Sequence, residues 1–234
     1  MTHGARTPRK ASTTAGSGDW ACGDLEASLV LVFPLFLAYE LGALAVNRVN
    51  GADLVTRALY VVVGSRALYL LVHAAVAVGF LLWLRRGARW SALRVDVVAP
   101  LVLEAAIYAL TLGTLVTLVV DRVLGLAIGA GGASDVVAAL GAGVHEEAVF
   151  RLALIGGTVA LLRGLPREAT VTLAIVGSAV LFALAHHLAG EPWSLHAFAF
   201  RCVAGVAFGL IFWFRSFAHA VYAHVLYDLI VAFR

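Results

Sequence analysis

"GVHEEAVFRLALIGGTVALL" occupies residues 143–162, and whether it crosses a membrane decides the fold. It sets His145, Glu146, Glu147 and Arg151 inside an otherwise apolar run. The chain around it is 62% hydrophobic and only 13% charged over 234 residues, with a mean hydropathy of +0.95. That composition excludes an ordinary soluble domain and points to a polytopic membrane protein. Crossing a hydrocarbon core of roughly 30 Å takes about 20 mainly apolar residues. Working outward from 143–162, seven segments qualify: 27–47, 67–84, 97–120, 136–162, 169–187, 195–214 and 217–233. The second and seventh are short, and 52–65 adds an interfacial or re-entrant helix, so the range is about six to eight. Alternating ten-residue strands do not occur in the pattern, which argues against a β-barrel. The predicted fold is all-α, a polytopic membrane helix bundle.

Residues 1–26 are rich in Ser, Thr, Gly and Arg and read as a disordered polar tail. Residues 27–234 then form one integral membrane domain. The polar stretch is too long, and a small-residue cleavage site after the first apolar run is missing, so a cleaved signal peptide is not expected. The net charge of +3 resides mostly in loops and sets topology; no nucleic-acid partner follows from it. Cys22 and Cys202 lie in the tail and in a span, an arrangement that does not suggest a structural disulfide. With seven spans and a cytoplasmic N-terminus, the inner segments hold Arg6, Arg9, Lys10, Arg85, Arg86, Arg89, Arg94, Arg163, Arg167 and Arg215. The outer segments hold Arg48, Arg57, Arg66, Arg122 and Arg234, and the excess inside obeys the positive-inside rule. Ala, Val, Leu and Arg usage with a single lysine is that of a GC-rich coding sequence. The expected location is therefore a bacterial inner (cytoplasmic) membrane, with the lipid bilayer and a membrane-anchored protein substrate as partners.

Spans four to seven contain Glu146, Glu147, Arg151, His186, His187, Arg201, His219, His224 and Asp228. A charged residue facing lipid at mid-span costs about 2.5–3.5 kcal/mol. Six of these separately exposed would cost on the order of 15–20 kcal/mol, more than the stability of a typical domain. They must face the bundle interior, pair with one another or line a wet cavity. Glu147 and Arg151 are four apart and share a helix face, where an ion pair forms naturally. Glu146 points about 100° away and is left free of that arginine. Phe182 and His186 are likewise four apart, as are His224 and Asp228. Three spans each present one polar pair towards a common cavity, which the span depths would open to the extracytoplasmic side.

Several chemistries compete for these groups. The helical zinc signature HExxH would need a second histidine where Val149 stands. A zinc ion held by Glu146, His186 and His224 stays open as an alternative. Ser178 and Ser216 lack the Gly-x-Ser-x-Gly context of a serine nucleophile. "GAGGA" at 129–133 lacks the Lys-Ser/Thr of a phosphate loop and reads as a turn.

"EEAVFR" at 146–151 fits EExxxR, "FALAH" at 182–186 fits FxxxH, and "HVLYD" at 224–228 fits HxxxN/D. Each motif alone is weak, but the three stand in order on successive hydrophobic segments. Together they resemble the CPBP family of CAAX-protease and bacteriocin-processing (abortive infection) intramembrane proteins. The resemblance covers about residues 136–234 and includes Gly205 and Gly209.

The resemblance implies a metal-independent, glutamate-dependent intramembrane endopeptidase without a cofactor. By it, Glu146 activates water, His186 shares that water, and His224 with Asp228 stabilises the oxyanion. Glu147, Arg151 and Phe182 support them. Because Asp228 replaces the asparagine some members carry, it can donate only when protonated; otherwise it accepts from His224 and fixes its tautomer. The implied substrate is a membrane-anchored protein or a C-terminal processing or sorting signal, and a bacterial origin makes a prenylated one less expected. A catalytically silent immunity or scaffold protein of the same family is the alternative.

The remaining polar residues read as structural. Glu40 and Glu104 suit helix–helix bonding, His187 a cap or interface, His145 a cavity rim, and Arg201 snorkelling at a span end. His73 and His219 carry no motif. Trp193, Trp213, Tyr222 and Tyr227 are expected as interfacial anchors.

Overall fold

A computed structural model describes residues 25–45, 54–87, 92–119, 133–188 and 192–233, and every regular element among them is a helix. Residues 1–24 of the expected tail, Cys22 included, lie outside the described residues, as does most of the 129–133 turn. Four helices come first: α1 (Leu25–Ala45), α2 (Leu54–Val63), α3 (Arg66–Gly87) and α4 (Val95–Val119). Next, α5 (Ala133–Gly141) runs without a break into a π-wound segment (Ala142–Ile155) and then α6 (Gly156–Leu161). The chain ends its described course in α7 (Arg167–Leu188), α8 (Leu195–Phe214) and α9 (Phe217–Ala232).

Among the described residues, five stretches are long and apolar enough to cross a membrane: Leu25–Ala43, Ala67–Arg86, Val95–Leu115, Arg167–Leu188 and Leu195–Phe214. The chain is a helical membrane bundle. Of the other two expected spans, one is the charged, π-wound stretch and the other is α9, which has 16 residues. Helix α3, at 22 residues, exceeds the short span read at 67–84, because Arg85 and Arg86 extend it beyond the apolar run. Long basic side chains tolerate that position by reaching towards the headgroups.

Local chemistry sets the breaks. Gly64 adopts φ +72° between α2 and α3, a left-handed conformation that glycine takes without steric cost. Ser194 accepts from the Ala197 N–H at 3.4 Å to start α8, and Ser216 accepts from the His219 N–H at 3.3 Å to start α9. Both serines that the sequence removed from nucleophile candidacy have such structural work. Ser178 donates to the Phe150 carbonyl at 2.7 Å and bolts α7 to the π segment.

Helix α9 is the hub. It packs against α1, α4, α5, α8 and the π segment, and buries Phe217, Ala218, Val221, His224, Val225 and Tyr227. Its Tyr222 hydroxyl donates to the Leu31 carbonyl of α1 at 2.9 Å. Small residues permit this closeness: Gly143 sits under Val221 and Val225, and Gly205 of α8 lies against Ala179 of α7. Leu71, Val76 and Leu82 of α3 and Leu103, Ile107 and Leu110 of α4 point outward, the pattern of lipid-facing surfaces. Two aromatic expectations change here. Trp213 and Tyr227 are core residues, 8% and 7% exposed, because their helices are central rather than peripheral.

Candidate active site

The wide winding of Ala142–Ile155 presents the charged residues of 143–162. The Gly156 N–H bonds the carbonyl of Arg151 five residues back, the hydrogen-bond span that defines π winding. Such winding normally occupies a single turn and concentrates at functional sites. Here it buries His145, Glu146, Glu147 and Arg151 together.

Glu147 and Arg151 are both fully buried, with Nη1 and Oε1 3.1 Å apart. The contact is an ion pair by distance, though the Nη1 geometry is not that of a hydrogen bond. Arg151 also donates through Nη2 to the Gly205 carbonyl at 3.4 Å. Its guanidinium lies 4.7 Å from the centre of the Phe182 ring and 5.6 Å from that of Phe208. Cation–π attraction is strongest where both groups are dehydrated, as they are here.

The same Glu147 oxygen accepts from His224 Nδ1 at 2.7 Å. On the other edge of that ring, Nε2 stands 3.5 Å from Asp228 Oδ2. The ring stacks on Phe208 with centroids 4.6 Å apart and planes within 16°. His224 therefore spans two carboxylates, and the shorter contact comes from Glu147, 77 residues away in sequence. Sequence spacing had offered only Asp228 as its orienting group.

Glu146 faces elsewhere. It is 3% exposed, and its Oε1 lies 3.9 Å from His186 Nε2. His186 directs Nδ1 to the Phe182 carbonyl at 2.9 Å. A carbonyl only accepts, so Nδ1 carries a proton, and Nε2 is the ring nitrogen that faces Glu146. Phe182 thus contributes twice, holding His186 through its backbone and Arg151 through its ring. Its edge also meets Phe150 at 5.2 Å.

The six ionisable residues of the three motifs, with Phe182, come together in one region formed by the π segment, α7 and α9. Glu146, Glu147, Arg151 and His224 are buried, while His186 and Asp228 remain partly open, as access to the cluster requires. The zinc alternative fits less well, since His224 turns Nε2, the nitrogen left free by Glu147, towards Asp228 Oδ2 at 3.5 Å. The remaining polar residues have other duties. His187 packs on Trp193 at 4.8 Å, an interface role. Arg201 directs Nη1 to the Ala197 carbonyl of its own helix at 3.5 Å. Glu104 joins α4 to Arg215 at 2.5 Å and to His219 at 3.5 Å, and also accepts from Tyr108.

Residues 133–230 match the family described as type II CAAX prenyl endopeptidase Rce1-like. No curated protein and no solved structure matches the chain significantly. The matched region runs from the start of α5 nearly to the end of α9 and contains all three motifs.

Proposed function

We propose, from a C-terminal region that belongs with the Rce1-like proteases of CPBP type, that the protein is a glutamate-dependent intramembrane endopeptidase. The observation that carries the reading is the Glu146–His186 pair. Their facing atoms are 3.9 Å apart, a gap that one water at about 2.8 Å from each would bridge. With Nδ1 tied to the Phe182 carbonyl, the His186 Nε2 lone pair and the Glu146 carboxylate would both accept from that water.

In the proposed reaction Glu146 removes a proton as the water oxygen attacks the scissile carbonyl carbon. The C=O π electrons move to oxygen, and His224 with Asp228 stabilises that oxyanion. Collapse of the tetrahedral intermediate expels the amine, which receives the proton from Glu146. The new carboxylic acid then loses its remaining proton to the amine, carboxylate and ammonium fragments leave, and Glu146 is again ionised. Glu147 and Arg151 are positioning residues: they fix His224 and the π segment without touching the reacting atoms. A general base is typically worth about 10²–10⁴-fold, and one oxyanion donor about 10²–10³-fold.

The proposed substrate is a membrane-anchored protein cleaved at a C-terminal processing or sorting signal. The test compares terminal peptides of the membrane and exported proteomes in cells carrying wild type or Glu146→Gln. The expected result is one precursor class that accumulates uncleaved in the variant. Unchanged termini, at equal expression and with a folded variant, would sink the reading.

A further inference from the structure

Away from the motif cluster, a second group of ionisable side chains meets inside the bundle. Glu40 of α1, His73 of α3 and His145 of the π segment each turn one ligand atom inward, all within 4.8 Å of one another. Glu40 Oε1 and His73 Nε2 are 3.6 Å apart. From these positions we propose that Glu40, His73 and His145 form a binding site for a divalent transition metal of the zinc class.

The donor set selects the metal. Two imidazoles and one carboxylate suit zinc and its neighbours; calcium and magnesium prefer all-oxygen shells. Zinc bonds of about 2.0–2.2 Å set tetrahedral donors roughly 3.4 Å apart, so side-chain rotations of about 1 Å close the present arrangement on an ion. Three protein ligands leave a fourth position for water.

The surroundings are those of a built site. His73 donates its Nδ1–H to the Tyr69 carbonyl at 2.8 Å, which turns Nε2 towards Glu40. Ligating histidines usually donate their second nitrogen in this way. His145 Nδ1 lies 3.5 Å from Thr56 Oγ1, which in turn meets the Tyr39 hydroxyl at 2.7 Å. Tyr69 stacks on His73 with centroids 4.0 Å apart, and Tyr39 meets His145 edge-on at 4.9 Å. The two imidazoles stand at 82° to each other with centroids 6.2 Å apart.

Simple helix packing would be served by the Glu40–His73 pair alone. It gives no reason for a third ligand-type residue, from a third element, to converge on the same point inside a membrane bundle. Intramembrane ionisable residues are functional by default. A metal here ties α1 and α3 to the segment that bears Glu146. Otherwise α3 packs mainly on α2, with Phe80 against Phe33 of α1 at 4.4 Å.

The experiment uses the full chain in detergent micelles, stripped with a chelator and titrated with Zn²⁺ or with Co²⁺ as the visible reporter. Wild type should bind one equivalent and give the intense absorption of four-coordinate Co²⁺. His73→Ala and Glu40→Gln should each weaken binding at least about 100-fold, beyond the 10–100-fold typical of losing an outer partner. His186→Ala should bind as wild type does. The proposal is overturned if wild type shows no saturable binding, or if binding survives His73→Ala and Glu40→Gln but fails in His186→Ala. Variants count only where their metal-free melting temperatures match wild type, and Glu40→Gln keeps the test alive should His73→Ala misfold. Glu146→Gln protein should retain the metal, so failure of the protease reading and failure of this one are separately visible.

Discussion

Glu147 illustrates how a fully buried carboxylate earns its place: one oxygen serves both Arg151 at 3.1 Å and His224 at 2.7 Å. Removing one partner of a buried pair leaves an uncompensated charge, at a cost of about 3–5 kcal/mol. Arg151→Met should destabilise the bundle by that amount in denaturant unfolding. Glu147→Gln/Arg151→Met should cost less than the two single changes summed, because the orphaned charge is gone. Additive costs would show that the pair is not coupled. Glu146→Gln should behave oppositely, with stability near wild type and hydrolysis reduced about 10²–10⁴-fold in single-turnover assays on the precursor found by terminal proteomics. At this scale the sequence revealed pairs four residues apart, because helical spacing alone brings them together. It did not reveal the Glu147–His224 bond, since a separation of 77 residues carries no spacing rule. Glu40, His73 and His145 were invisible as a group for the same reason.

Among the elements, α8 and the π segment depend on glycines where neighbouring backbones close in. A Cβ on Gly205 would stand 2.9 Å from Ala179 Cα, and one on Gly143 would meet Val225 N at 3.1 Å and Val221 O at 3.2 Å. Backbone cannot rotate aside, so Gly205→Ala and Gly143→Ala should each destabilise by about 1–3 kcal/mol. Gly209→Ala meets Ile175 Cγ2 at 3.0 Å, a side-chain end that can shift, and should cost less. Gly79→Ala meets nothing within 4 Å and should be neutral or slightly stabilising. Thermal unfolding of the four variants in one detergent checks this order. The spans themselves were legible to within a few residues, since apolar length is what membranes select. The π winding was not, because apolar periodicity was read on an α-helical wheel. The buried α9 also escaped, as a 16-residue apolar helix looks the same from sequence at the rim or at the centre.

For the molecule as a whole, charge distribution predicts the orientation. With the N-terminus cytoplasmic, the turn holding Arg163 lies inside and Trp193 lies outside. Single cysteines at Arg163→Cys and Trp193→Cys, in a Cys22→Ser/Cys202→Ala background, should be labelled from opposite sides by a membrane-impermeant maleimide. Labelling of the first from outside intact cells would reverse the topology. The inner set also holds Arg215, which lies between α8 and α9. Its hydrogen bond to Glu104 holds the guanidinium above its ordinary pKa range. Arg215→Ala should change stability by less than about 1 kcal/mol, with the difference shrinking in high salt, because the pair is partly exposed. Class and architecture were legible from composition, whereas the choice of a central helix was a matter of packing. That choice has a consequence in the order of synthesis. Helix α9 emerges from the ribosome after every helix it touches, and His224 and Asp228 arrive with it. Until then a partly made chain already resident in the bilayer holds Glu146, Glu147 and Arg151 with the third motif missing. The cluster is completed only once translation has passed residue 228, so under the proposed mechanism a stalled or truncated chain would be inert towards the membrane proteins around it.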